Sequence, residues 1–292
     1  MSDLDFSSTS PMKPAGQPAA PPPPPVYNAA MAMDFFKTAG KPESFAAGAT
    51  LFAEDDKGGL FKSPKMYVLI VGEIEMIAQN QVIGTVKAGE TFGEMAVIAQ
   101  AARTATARAK TQCTVIGLDE KQYQAALQQK PEFALMLMSI INSRLRSTIS
   151  RLRASGSLHA GEAKEAPVFD KKLMAGLVNL MGGQEPARYP AGKMIMQEGT
   201  GGAFMYVVLE GKVAITIKGG LVGRAGPGGV FGEMALVDQS ARAATAVAEN
   251  DCALLAINRA AFLQLVKTSP AFGAALLSGL AARAKDMAVR NK

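Results

Sequence analysis

The 292-residue sequence predicts an α+β protein built from two similar halves, and three observations carry that reading. A segment written FGEMAVIAQAARTATA at residues 92–107 returns 139 positions later as FGEMALVDQSARAATA at residues 231–246, with 11 of 16 residues identical. Around each copy, short runs of β-branched and aromatic residues are broken by glycine, as in MYVLIVGEIEMI and MYVVLEGKVAITI, the pattern of strands joined by tight turns. Behind each copy, apolar residues recur at the three-and-four spacing of helices. A repeat of this kind has to be found before a fold is assigned, because each copy is one structural unit.

Taken in chain order, residues 1–28 contain PMKPAGQPAAPPPPPVY. Proline removes amide donors and holds the chain near polyproline II, so this reads as a disordered arm with no packed core. The first half runs from about Ala29 to Arg153, a linker covers residues 154–167, and the second half runs from about Val168 to Lys292. Each half opens with a short helical pattern, AAMAMDFFKTAG or VFDKKLMAGLVNLMGG, that leads to an aromatic and a glycine in FAAG and YPAG. Gly72 and Gly211 each precede the glycine of FGEM by 21 residues, which keeps the strand register equal. Five extra residues ahead of MYVLIV predict a longer loop in the first half. CTVIGLD and CALLAIN then predict a further strand, followed by long helices. Leu137, Ile141, Leu145, Ile149 and Leu152 share one helix face, which offers a homodimer surface along residues 134–153. Arg144, Arg146, Arg151 and Arg153 decorate the same helix and read as a solvated face near its C-terminus, where cations are favoured.

Composition narrows the function classes. With 48% hydrophobic and 19% charged residues the chain is an ordinary globular protein with room for two domains. No run of about 18 apolar residues and no basic-then-apolar leader occurs, so the expectation is a cytoplasmic protein without a membrane span. The net charge of +6 is mixed along the chain and makes no strong case for a polyanionic partner. Cys113 and Cys252 lie 139 residues apart, at the same position in the two copies, so they belong in separate cores as reduced thiols. Neither has zinc or redox spacing, and His159, the only histidine, falls in the linker. No metal, catalytic residue or cofactor is expected.

The repeated segment carries the chemistry. A strand ending at Phe92–Gly93 and turning into EMAVI predicts a short helix whose first amides are unpaired, a setting that attracts phosphate. Arg103, nine residues after Glu94, supplies a charge-assisted contact to phosphate oxygens. An ionised Glu94 only accepts hydrogen bonds and suits a sugar hydroxyl. The same reasoning applies to Gly232, Glu233 and Arg242. Amides, guanidinium and carboxylate together fit a sugar phosphate.

On these residues the sequence resembles the cyclic-nucleotide-binding domain family, whose phosphate-binding cassette reads F-G-E-[LM]-A-[LV], a short variable stretch, then R-[TSA]-A-[TS]. The likeness extends over most of each half and includes ARAKTQCTVIGLD and the KPEFALMLM helix. It implies a jelly-roll-like β-roll with flanking helices in each half. It further implies that Glu94 and Glu233 bind the ribose 2′-hydroxyl and Arg103 and Arg242 the cyclic phosphate. Gly93, Met95, Ala96, Thr104 and Ala105 would contribute mostly backbone contacts, as would Gly232, Met234, Ala235, Ala243 and Ala244. Thr104 against Ala243 marks the position that tunes base preference in similar domains. The resemblance therefore implies cyclic AMP at the second site and cyclic AMP or cyclic GMP at the first. Thr148 is the candidate base cap, with Met287 its weaker counterpart.

The chain has no P-loop, kinase signature or helix-turn-helix domain after its long helix. The expectation is a tandem regulatory protein, neither enzyme nor sequence-specific DNA binder, that signals to an unidentified effector protein. The alternative is a scaffold whose rolls do not respond to nucleotide.

Overall fold

The computed structural model describes residues 28–58, 63–154, 167–182, 184–238 and 241–289. The proline-rich segment before residue 28, residues 155–166 of the linker with His159, and the side chains of Arg144, Arg146, Thr148, Ile149, Arg151, Leu152, Arg153, Ala235 and Met287 lie outside this description. In the first half the elements run α1 (Ala29–Ala39), β1 (Pro42–Phe45), β2 (Thr50–Phe52), β3 (Met66–Val71), β4 (Ile74–Ala78), β5 (Gln81–Val86), β6 (Thr91–Phe92), α2 (Glu94–Ile98), β7 (Thr106–Ala109), β8 (Cys113–Leu118), α3 (Glu120–Gln129) and α4 (Glu132–Ala154). The second half repeats the order as α5 (Lys171–Leu180), β9 (Ala187–Tyr189), β10 (Met194–Met196), β11 (Phe204–Glu210), β12 (Val213–Ile217), β13 (Gly220–Ala225), β14 (Val230–Phe231), α6 (Glu233–Asp238), β15 (Thr245–Ala248), β16 (Cys252–Asn258), α7 (Arg259–Thr268) and α8 (Pro270–Val289).

Each half folds into two antiparallel sheets with matching strand orders. The first has β1-β8-β3-β6 facing β2-β7-β4-β5, and the second has β9-β16-β11-β14 facing β10-β15-β12-β13. The run MYVLIV explains why the central strand is apolar on both sides. Successive side chains point to opposite faces of a sheet. Met66 and Val68 therefore enter the helical core with Ile116 and Leu118, while Tyr67 and Leu69 enter the roll interior with Cys113 and Val115. β11 and β16 divide the same way, with Met205, Val207, Leu255 and Ile257 on the helices and Val208, Cys252 and Leu254 inside the second roll. This is the pair of β-rolls with flanking helices that the sequence predicts.

The cysteines lie in the two separate roll interiors, both reduced, at 1% and 3% exposure. Burial pushes the Cys113 thiol up from its ordinary pKa, and the thiolate is the reacting form. A disulfide reagent at pH 8 is therefore expected to label the native chain slowly and both thiols rapidly after denaturation. Rapid stoichiometric labelling of the native chain would disprove this burial.

Capping side chains set the helix starts. Asp119 and Gln122 close a reciprocal capping box on α3, and Asn28, Asp170 and Asn258 accept from the first turns of α1, α5 and α7. Phe35 and Phe36 of α1 meet Phe133 of α4, and its repeat counterpart Phe272 of α8 stacks on Phe169, just ahead of α5, and meets Phe262 of α7 edge-on. The halves are joined by helices. α4 lies along α8 and touches α6, α8 touches α2, and α3 packs on α7 and α8.

The described part of the apolar face of α4 is covered within the chain and gives no support to a homodimer through residues 134–153. Leu137, Ile141 and Leu145 are at most 3% exposed, in one cluster with Leu276, Leu280 and Ala284 of α8. Burying these three side chains inside one chain leaves less apolar area for a second copy to cover. Among the described residues no single helix is long and apolar enough to cross a membrane. α7 and α8 together have that composition but are bent by 115°, and their apolar residues Phe262, Leu265, Phe272 and Leu280 fill the core.

Candidate functional site

In both halves the repeated segment begins at the end of a two-residue strand and enters a helix through a glycine. Gly93 has φ 71° and Gly232 φ 78°, the left-handed region that glycine adopts without steric cost. The helices that follow, α2 and α6, are only five and six residues long, so their dipoles are small. What remains to attract an anion is the row of first-turn amides and a buried arginine.

That arginine is placed by the same contacts twice. Arg103 Nη1 donates to the Gly93 carbonyl at 2.8 Å, and Arg242 Nη1 donates to the Gly232 carbonyl at 2.8 Å. The main chain of Arg103 pairs with the loop after β2, donating to Asp56 O and accepting from Asp55 N, both at 2.9 Å. Arg242 likewise donates to Thr200 O and accepts from Gly199 N. The loop that differs in length between the halves is thus pinned to the arginine at each site. Arg103 and Arg242 are 5% and 6% exposed. Burial lowers both guanidinium pKa values, and the facing groups oppose the shift: Tyr67, Asp56 and Glu94 for Arg103, and Tyr206 and Glu233 for Arg242. A guanidinium stays protonated throughout the working range. Among the described residues neither one has a carboxylate within ion-pair distance. Buried charges are normally paired, since desolvation is costly.

The surroundings differ. Arg103 stacks 3.9 Å over the Phe52 ring and donates through Nη2 to Lys65 O at 2.7 Å. At Arg242 the place of Phe52 is taken by Met196, the nearest ring is Tyr206 at 5.9 Å, and the guanidinium rests on Gly202, where any Cβ would collide with it. Glu94 and Glu233 are 2% and 3% exposed. Arg283 of α8 reaches Glu233 Oε1 at 3.4 Å and donates to Val230 O at 2.9 Å.

The first cavity, about 150 Å³, is lined by Gly93, Glu94, Met95, Ala96, Arg103, Thr104 and Ala105, together with Phe52, Met76 and Val86. The second, about 90 Å³, is lined by Gly232, Glu233, Met234, Arg242, Ala243 and Ala244, with Met196, Ile215, Val222, Arg283 and Leu145. Except for Ala235, Thr148 and Met287, whose side chains lie outside the description, every ligand-binding residue singled out from the sequence lines one of the two cavities. Both spaces are smaller than the roughly 300 Å³ of a typical small-molecule pocket, and both are open to solvent. Phe52, Met196, Leu145 and Arg283 escaped the sequence reading. Arg283 had a usable signal: it stands 139 residues after Arg144, on a helix face read as solvated. The Arg283 side chain turns inward to a buried carboxylate.

A polar floor of amides, arginine and glutamate under an apolar wall is the arrangement a nucleotide needs. The family model described as the cyclic nucleotide-binding domain matches residues 42–130 and 186–269, more than half of the chain. The chain belongs to the cyclic nucleotide-binding domain family. Solved structures similar to this family member include the regulatory domain of Toxoplasma gondii PKA with cAMP, at 22% identity over 86% of this chain and 88% of that one, TM-score 0.30. Another is the regulatory subunit of a cAMP-independent protein kinase A from Trypanosoma brucei, at 18% identity over 83% and 85%, TM-score 0.32. The Thermus thermophilus catabolite activator protein matches at 18% identity over 55% of this chain and 70% of that one, TM-score 0.38. At these identities and scores, ligand and partner have to be argued from this chain's own residues.

Proposed function

We propose that the chain is a two-site cyclic-nucleotide sensor that passes ligand-dependent changes in domain packing to an effector protein. The observation that carries this reading is the pair of buried arginines that, among the described residues, have no carboxylate within ion-pair distance, each beside a glycine turn into a short helix and a buried glutamate. Such a cation is electrostatically incomplete until an anion arrives. Arg103 and Arg242 would take the cyclic phosphate, Glu94 and Glu233 the ribose 2′-hydroxyl. Gly93, Met95, Ala96, Thr104 and Ala105 would present backbone to the first ligand; Gly232, Met234, Ala235, Ala243 and Ala244 would do so to the second. The units would be residues 29–153 and 168–292, with Thr148 as a base cap. Cyclic AMP suits the second site; the Thr104 hydroxyl, exposed at the rim of the first, admits cyclic AMP or cyclic GMP. Neither catalysis nor sequence-specific DNA recognition belongs to this reading, which places the protein in the cytoplasm.

Calorimetric titration with cyclic AMP and cyclic GMP tests it. The unaltered chain is expected to show two binding events, and Glu94→Ala and Glu233→Ala each to weaken one of them roughly 10- to 100-fold, the range for a lost hydrogen bond to a charged group. Absence of heat at millimolar nucleotide, with no rise in melting temperature, would favour an assembly protein whose rolls do not respond.

A further inference from the structure

Beside the cassette cavity of the second half lies a larger cleft, about 500 Å³ and open to solvent, lined by Met194, Met196, Gly202, Phe204, Tyr206 and Arg242. Its size is that of a small-molecule pocket. Met194 and Phe204 stand 49% and 40% exposed, large apolar side chains that gain from being covered. Arg242 lines both spaces. Gly202 makes that possible, since any Cβ there would collide with Nε, Cζ and Nη2 of the guanidinium. Among the described residues the single side-chain hydrogen bond of Arg242 runs from Nη1 to the Gly232 carbonyl. The first half shows what this cation is missing. Arg103 has the Phe52 ring stacked 3.9 Å away, a second bond from Nη2 to Lys65 O at 2.7 Å, and the negative charge of Asp56 favouring its protonated form. In the second half Met196 stands for the ring and Thr200 for the aspartate, Thr200 O accepting the arginine main-chain amide as Asp56 O does. A stacked ring and a carboxylate are absent from the surroundings of the same group.

We propose that this cleft is a further ligand site, and that it takes a small aromatic carboxylate. The ring would lie against Met194, Met196 and Phe204, and the carboxylate would pair with the Nε and Nη2 edge of Arg242, which the bond to Gly232 leaves unused. The ligand then supplies to Arg242 what Phe52 and Asp56 supply to Arg103. A guanidinium meets a carboxylate through two parallel charge-assisted hydrogen bonds, which an uncharged isostere cannot accept. The cleft site goes beyond the nucleotide reading, whereas its coupling to the nucleotide rests on that reading. Phosphate on one side and carboxylate on the other draw on one cation, so each bound anion lowers the affinity for the other. By linkage the factor is the same in both directions.

The test uses the full chain with methyl-labelled methionine, read by NMR, with benzoate as the probe and benzamide as its uncharged counterpart. Benzoate is expected to shift the Met194 and Met196 methyl signals saturably, with Kd on the order of 1 mM, the scale for so small a ligand. Benzamide is expected to bind at least about 10-fold more weakly, the loss of a hydrogen-bonded charge. Thr200→Asp, which puts a carboxylate of the chain's own near Arg242, and Phe204→Ser, which strips the apolar wall, are each expected to weaken benzoate roughly 10-fold. Equal binding of benzoate and benzamide, no saturable shift of either methyl, or unchanged benzoate affinity in both variants would overturn the site. In a Glu94→Ala background, saturating benzoate is expected to weaken cyclic AMP at the second site about 10-fold. An unchanged or raised cyclic-AMP affinity would overturn the coupling. Benzoate binding in a chain that takes no cyclic AMP would overturn the nucleotide reading and uphold the cleft site.

Discussion

Arg242→Ala is expected to weaken cyclic-nucleotide binding at the second site by roughly 100- to 1,000-fold, and Arg103→Ala to do the same at the first. Each substitution removes a buried cation that faces the cavity at 5 to 6% exposure. Truncating one side of a buried charged pair costs about 2 to 5 kcal/mol, and about 1.4 kcal/mol is a factor of ten. Lysine is expected to restore only part of the loss, because it keeps the charge without the planar fork that spans two oxygens. The untouched site in the same chain controls for folding: it must retain its affinity while its partner is lost. Titration of both variants decides the matter, and a second-site affinity within about threefold of the starting protein would remove Arg242 from the site.

The largest effect on stability is expected from Phe133→Ala. This ring is fully buried, stacks on Phe35 with centroids 3.6 Å apart and meets Phe36 edge-on at 5.9 Å. It ties α1 to the start of the long helix, so the hole left by alanine cannot be refilled by small side-chain movements. A loss of about 3–5 kcal/mol follows from the transfer and cavity terms together, lowering the melting temperature by roughly 10 °C. Circular dichroism melts check this, and a shift below about 2 °C would show that the site collapses around the missing ring. Ile83, 64% exposed on β5, is the contrasting position; surface substitutions of this kind usually stay within about 0.5 kcal/mol.

Much of the floor of each site is legible in the sequence because its parts are close along the chain. Gly93, Glu94 and Arg103 fall within eleven consecutive residues, and their spacing recurs at Gly232, Glu233 and Arg242. Cys113 and Cys252 fall into separate cores for the same reason, since equal positions in two copies of one fold occupy equal environments. Legibility ends at the walls. Phe52 stacks on Arg103 from a strand that precedes it by about fifty residues, and no local pattern couples a three-residue strand to a distant guanidinium. The run of cations without acids on the long helix predicts a solvated face, and the side chains of Arg144, Arg146, Arg151 and Arg153 lie outside the described residues. Arg283, at the corresponding place on α8, is held instead by Glu233 from fifty residues upstream.

Through its family resemblance the sequence implied the two β-rolls; by itself it determined the strand and helix patterns of each half, the turn-helix-arginine cassette in each, and the apolar stripe of α4. These depend on periodicity and on short-range spacing, which backbone geometry converts directly into structure. Only the tertiary structure decided what that stripe covers. Apolar burial has no direction of its own, so Leu137, Ile141 and Leu145 could have met a second copy of the chain as readily as α8. Packing placed them against α8, and set Leu145 in the lining of the cavity in the second half.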